Sequence, residues 1–272
     1  MIALELDHVS RDFTTPDGRG YRALDDISLS IPAGSFIAIV GPSGCGKSTL
    51  LNIAAGLLMP SAGEVRVDGE PLTGLNRRAT YMFQQDALLP WKTVRENVAL
   101  GLTLGGTAKP GAHARADAWL ERVGLAPFAA HYPSQLSGGM RKRVVMAQNW
   151  IIDRAVLLMD EPFSALDVHT RQRMESELLE LWEEGTAPRV NKTIVFVTHD
   201  LEEAIALADE VVVLSAGPGA HLVAQHAVTL DRPRDLMELR TAPAFVDLYR
   251  TIWAVLREEV IKSQRAVERG RA

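Results

Sequence analysis

"FIAIVGPSGCGKSTLLNIAAGLL", residues 36–58, runs an apolar β-branched stretch into a glycine-rich turn and out into an amphipathic segment. Residues 41–48 fit G-x-x-x-x-G-K-[ST], in the strand-before, helix-after setting that this pattern requires. The glycines let backbone N–H groups point inward at phosphate, and a helix beginning near Gly46 adds its positive end. Lys47 supplies a cation for the β- and γ-phosphates, and Ser48 a ligand for Mg²⁺. Gly41, Pro42, Ser43, Gly44, Cys45, Gly46, Lys47, Ser48 and Thr49 are therefore the expected cradle of a nucleoside triphosphate. A plain strand-to-helix turn gives no packing reason for Lys-Ser at this offset. Cys45 lies near a helix N-terminus, where a thiol becomes more acidic and reactive. This predicts alkylation that inactivates the protein and against which MgATP protects; the plainer reading is a small space-filling residue.

Composition narrows the partners. A chain of 272 residues that is 47% hydrophobic can build a real core, and its formal net charge of −5 lacks the basic surface of a nucleic-acid binder. The single cysteine forms no internal disulfide, and the start MIALELDHVS lacks the basic and apolar segments of a secretory signal, so a cytosolic setting is expected. Apolar runs such as 193–197 and 211–214 are far shorter than the roughly 20 residues that span a bilayer.

Outward from the loop, short strands alternate with longer helices: 35–40 then 46–58, 156–160 then 168–184, 193–198 then 201–208, and finally 210–215. Such alternation predicts an α/β core with a mostly parallel sheet. Residues 2–9, 23–31 and 63–67, separated by Gly, Pro and Asp turns, read as an antiparallel β-subdomain. The Ala- and Leu-rich stretch from about 88 to 152 reads as a helical insertion, with 105–111 a flexible loop.

Val156-Leu157-Leu158-Met159-Asp160-Glu161 is a buried strand ending in two carboxylates, a placement that ordinary packing does not reward. Asp160 can hold Mg²⁺ through water, and Glu161 can polarise the water that attacks a γ-phosphate. The strand at 193–198 delivers His199, a neutral donor for the γ-phosphate and the attacking water.

Leu136-Ser137-Gly138-Gly139-Met140-Arg141-Lys142-Arg143 has its own physical reading: Ser137 caps a helix running to about Ile152, and Gly138 and Gly139 leave N–H groups bare at its positive end. The segment resembles the LSGGQ motif of ABC-type ATPases. The resemblance spans most of the first 215 residues and implies a P-loop NTPase core, ATP and Mg²⁺. It also implies a head-to-tail dimer in which Ser137, Gly138 and Gly139 meet the ATP of the partner chain. By the same resemblance Gln84 joins the Mg²⁺ shell beside Ser48 and Asp160, 164–167 is the loop crossing the dimer interface, and Phe13 stacks on adenine, with Tyr21 the weaker candidate. Met140, Lys142 and Gln148 depart from the common pattern, which bears on how the helix couples nucleotide to dimer closure and removes no phosphate ligand.

Leu88-Leu89-Pro90-Trp91-Lys92-Thr93-Val94, the 159–167 segment and the tail at 231–235 and 243–253 resemble the importer ATPases of the nitrate, sulfonate, taurine and bicarbonate group. This implies an ATPase at the cytoplasmic face of the cell membrane that powers two permease subunits and is served by a periplasmic or lipid-anchored solute-binding protein. The ATPase pair is a homodimer or two related subunits. Leu89, Pro90 and Trp91 are either the wall of a permease groove or an internally packed, proline-started helix. Residues 1–215 would form the nucleotide-binding domain, with 216–272 a C-terminal extension whose Phe245, Leu248, Ile252, Val255 and Leu256 either pack on that domain or lie on a membrane. A soluble non-transport ABC ATPase is the competing reading, which calls for linked ATPase units, a long coiled-coil insertion or a basic face. A small-molecule P-loop kinase has no use for 136–140.

Overall fold

Two long antiparallel strands, β1 (Ile2–Thr14) and β2 (Gly20–Pro32), open the chain in the computed structural model, which describes residues 1–14, 18–184 and 192–271. They are followed by β3 (Phe36–Val40), the glycine turn, α1 (Lys47–Ala54), β4 (Ala62–Val67), β5 (Glu70–Pro71) and β6 (Ala79–Met82). The insertion comprises α2 (Val94–Val98), α3 (Leu100–Leu104), α4 (Lys109–Arg122) and α5 (Gly138–Trp150). The second half runs β7 (Val156–Asp160), α6 (Val168–Glu183), β8 (Thr193–Val197), α7 (Leu201–Leu207) and β9 (Glu210–Leu214). It closes with β10 (Leu222–Ala227), α8 (Leu236–Leu239) and α9 (Pro243–Arg271). Of the loop expected at 105–111, the last residues fall in α4, whose first turn takes Pro110, a favourable place for a residue with no N–H.

The strands form a sheet ordered β10-β9-β3-β8-β7-β6, parallel except for the β10–β9 hairpin, and an antiparallel sheet ordered β2-β1-β4-β5. Alternation along the central strands explains the layering. Phe36, Ala38 and Val40 of β3 face one apolar layer with α5, α6, α7 and α9, while Ile37 and Ile39 face another with α1 and the antiparallel sheet. β7, β8 and β9 divide in the same way, so they read as unbroken apolar runs. The insertion has its own core of Val94, Val98, Leu120 and Val144. Phe245, Ile252 and Leu256 of α9 are buried in the first layer, so the apolar stripe of the tail packs on the sheet's helices.

The helix behind the glycine turn ends by a Schellman arrangement: Gly56 N–H donates to Ile53 O and Leu57 N–H to Asn52 O, both at 2.9 Å. Gly56 has φ +68, and a Cβ there would lie 1.8 Å from Gly74 O. Cys45 fits the plainer of its two readings, a small space-filling residue, and not the reactive one. Its side chain is 1% exposed among Leu24, Leu50 and Leu214 beneath the loop, and burial pushes the thiol up despite the neighbouring Lys47 ammonium.

Two outcomes follow. Gly56→Ala should lower stability by about 2–4 kcal/mol, from left-handed strain plus a backbone clash, and urea unfolding that shows under about 0.5 kcal/mol would contradict the tight approach. The native protein at neutral pH should leave Cys45 unmodified by iodoacetamide over a time in which the unfolded chain reacts fully; mass spectrometry showing rapid native labelling would contradict the buried thiol.

Candidate nucleotide site

The parallel strands point their carboxyl ends at one edge, and the singled-out side chains of 47–48, 84, 160–161 and 199 emerge there, where open α/β sheets hold ligands. Gly46, at φ 99, turns the chain into α1, whose first-turn N–H groups have no side-chain cap and so form an anion site. The Lys47 ammonium is folded onto its own loop, donating to Gly41 O at 2.9 Å and Pro42 O at 3.0 Å.

Ser48 Oγ donates to Asp160 Oδ1 at 3.0 Å, and Tyr81 Oη donates to Oδ2 at 3.3 Å. Burial pushes the Asp160 carboxyl up against the opposing pull of the Ser48 bond; burial and then Asp160 itself push the Tyr81 phenol up. Glu161 adopts φ 43, a left-handed conformation that a non-glycine residue holds only under constraint from its surroundings. Its N–H donates to Val197 O at 2.9 Å. Its Oε2 accepts from Gln84 Nε2 at 3.3 Å and lies 3.2 Å from His199 Nδ1, a hydrogen bond when that nitrogen carries the proton. Glu161, Gln84 and His199 thus meet on one oxygen, beside the Ser48–Asp160 pair.

Several contacts of this network escaped the sequence reading. Tyr81 is the third residue of β6, a four-residue edge strand too short to show a period. Lys142, a departure from the family pattern, is buried with its ammonium 2.9 Å from both Gln84 O and Asp86 Oδ1, and Arg141 Nε donates to Asp86 Oδ2 at 3.2 Å. The segment carrying Gln84 is therefore strapped to α5. Arg171 donates to Leu166 O at 3.1 Å and to Asp200 Oδ2 at 3.3 Å, joining the 164–167 loop to the residue after His199.

Ser137 caps α5, its Oγ accepting from Met140 N at 3.3 Å. A Cβ on Gly139 would lie 2.7 Å from Thr170 Cγ2, so glycine brings this helix end against α6. Ser137, Gly138, Met140, Ala165, Asp167 and Arg173 line a groove that no residue of 41–48 enters.

Phe13 and Tyr21 sit opposite each other across β1 and β2. The Arg11 guanidinium lies 4.7 Å from the Phe13 ring centre, and Tyr21 faces the turn at 217. A second groove, between core and insertion, is lined by Tyr81, Phe83, Ala87, Leu100, Leu104 and Ile152. Leu89, Pro90 and Trp91 do not line it; they belong to a loop hung from the fully buried Asn97, whose amide donates to Leu89 O and Lys92 O and accepts from Leu89 N. Gln148, also in this groove, donates to Asn97 O at 3.1 Å.

The sequence pattern of the ABC transporter family matches residues 24–164. The chain is 43% identical over 235 residues to a putative ATP-binding protein of Brucella abortus biovar 1, covering 86% of this chain and 87% of that one. It is 46% identical over 201 residues to the taurine import ATP-binding protein TauB of Yersinia pestis bv. Antiqua, covering 74% and 77%. Among solved structures, the dimeric post-hydrolysis state of an ATP-binding cassette bound to ADP and phosphate superposes with a TM-score of 0.72 at 32% identity, over 84% of this chain and 100% of that one. Likeness on this scale runs through the phosphate loop, the capped glycine helix and the strand-end carboxylates alike, and the chain belongs to the ABC transporter family of ATP-binding proteins.

Proposed function

We propose that this chain is the ATP-hydrolysing subunit of an importer for a small sulfonate-like solute, working at the cytoplasmic face of the membrane as one of a pair of ATPase subunits beneath two permease subunits. The observation that carries the catalytic part is the meeting of Glu161, Gln84 and His199 on one carboxylate oxygen next to Ser48 and Asp160. Relatives named for taurine import, and the absence among the described residues of any helix long and apolar enough to cross a membrane, support a peripheral transport role. The insertion's longest helix has 14 residues, which does not favour the coiled-coil-bearing soluble class. Import would draw on a solute-binding protein outside the membrane.

In this reading residues 1–215 are the nucleotide-binding domain, with a helical subdomain at about 88–152, and 216–272 a C-terminal extension. Phe13 stacks on adenine. The backbone of Gly41, Pro42, Ser43, Gly44, Cys45, Gly46 and Thr49, with Lys47, holds the phosphates; Lys47 exchanges its own carbonyl partners for phosphate oxygens, a charge-assisted gain. The hydroxyl, amide and carboxylate donors of Ser48, Gln84 and Asp160, the last through water, are the hard oxygen set that fits Mg²⁺, which when bound neutralises charge on the β- and γ-phosphates. Glu161 takes the proton of the attacking water as His199 orders that water and contacts the γ-phosphate. Ser137, Gly138 and Gly139 grip the partner chain's ATP; no residue of 41–48 lines their groove. Binding joins two anion sites that are weak apart, and hydrolysis parts them. The groove at Phe83, Leu100 and Leu104 receives a short permease helix and passes the closure on.

Glu161→Gln should bind MgATP and become dimeric on size exclusion while hydrolysis falls by about 100-fold or more; near-normal turnover would mean that another group is the base, and a saturated variant that stays monomeric would remove the pairing. Leu104→Glu, at a residue 81% exposed, should come out of detergent-solubilised membranes without permease subunits yet still bind nucleotide, whereas full recovery of both would place the permease elsewhere.

A further inference from the structure

The turn that follows β9, residues 216–220, lies between three parts of the molecule. A Cβ on Gly217 would stand 3.4 Å from Gly44 O, 3.5 Å from Cys45 Cα and 3.7 Å from Tyr21 Oη, so the turn backs directly onto the phosphate loop and the aromatic strand. β9 itself arrives at Gly41, whose Cβ would meet Leu214 O at 3.1 Å. The far half of the turn is bonded to β2: Gly219 N–H donates to Arg22 O at 2.7 Å, Ala220 N–H to Ala23 O at 3.1 Å, and Ala220 O accepts from Asp25 N at 2.8 Å.

The near half is held differently. Ala216 N–H donates at 2.8 Å to Oε2 of Glu259, a side chain of α9, 43 residues away. Glu259 is 4% exposed, and its other oxygen pairs with Lys262 one turn further on. A buried carboxylate is retained only where its bonds offset lost hydration, and here one bond goes to a backbone donor that would otherwise be orphaned. Ser215 and His221 close the turn on itself, Ser215 N–H donating to His221 O at 2.9 Å and Ser215 Oγ to Ala216 O at 3.3 Å. Against the phosphate loop the turn makes packing contacts, and its bonds to the rest of the molecule are those to β2 on one side and to Glu259 on the other.

We propose that Glu259 is a positioning residue for the nucleotide site, and that the C-terminal helix acts through the 216–220 turn to hold the back of the phosphate loop in its binding shape. This rests on the assignment of residues 41–48 as the ATP cradle. The bond needs an acceptor rather than a charge, so a glutamine can serve if Lys262, on the surface, turns to solvent.

The test uses the full chain and MgATP. Glu259→Ala should weaken nucleotide binding by about fivefold, with kcat at saturation within about twofold of the parent, while Glu259→Gln binds within about twofold of the parent. Ile252→Ala removes packing from α9 at a buried position two turns earlier and should lower the unfolding midpoint without shifting nucleotide affinity. Gly217→Val, which wedges a side chain against Gly44 O, should reproduce the affinity loss and serves if Glu259→Ala does not fold. Unchanged affinity in Glu259→Ala or in Gly217→Val, or an equal loss in Ile252→Ala, would overturn the role of Glu259. A parent chain that binds no MgATP would instead overturn the site assignment.

Discussion

Burial of β3, β7, β8 and β9 on both faces is the constraint from which the site derives. A strand with an apolar layer on each side has no freedom to slip or roll, because a shift of one residue would exchange the two layers' side chains. Its carboxyl end is therefore a fixed point. The glycine turn after β3, Asp160 at the end of β7 with Glu161 next to it, and His199 after β8 are attached to three such points in adjacent strands. Polar groups that must meet within about 3 Å are placed there by apolar packing rather than by their own bonds, which are few and partly exposed.

The insertion has a separate core and so needs its own fastening to this rigid edge. Part of that fastening is ionic and concentrated at α5: Lys142 and Arg141 hold Asp86, and Lys142 also holds the carbonyl of Gln84. A buried ammonium with two oxygen partners costs desolvation that an apolar residue would avoid. What it provides is direction, since the amide of Gln84 reaches Glu161 from a backbone held at a defined point. The helix that carries Ser137 is thus joined to the Glu161 carboxylate through one lysine and one glutamine.

Much of this was legible beforehand because the informative residues are local. The phosphate loop, the paired carboxylates and the capped glycine helix each depend on neighbours within eight positions, and the central strands are continuous apolar runs that no helix period fits. What stayed hidden was long-range or short. β6 spans four residues and β10 alternates weakly, so neither stands out from loop. Lys142 stood out only as a departure from the family pattern, and the oxygens that Lys142 and Arg171 hold come from 58 residues away in one case and 29 in the other. Cys45 misled for a related reason: closeness to a helix N-terminus in sequence says nothing about which way the side chain turns, and here it turns into the core.

The closeness of Gly139 to Thr170 has a mechanical corollary. With less than a methyl group's clearance between them, the capped end of α5 sits directly on the first turn of α6. In the proposed pair of subunits, the glycines that reach for a neighbour's triphosphate and the loop that leads into α6 would therefore travel as one piece.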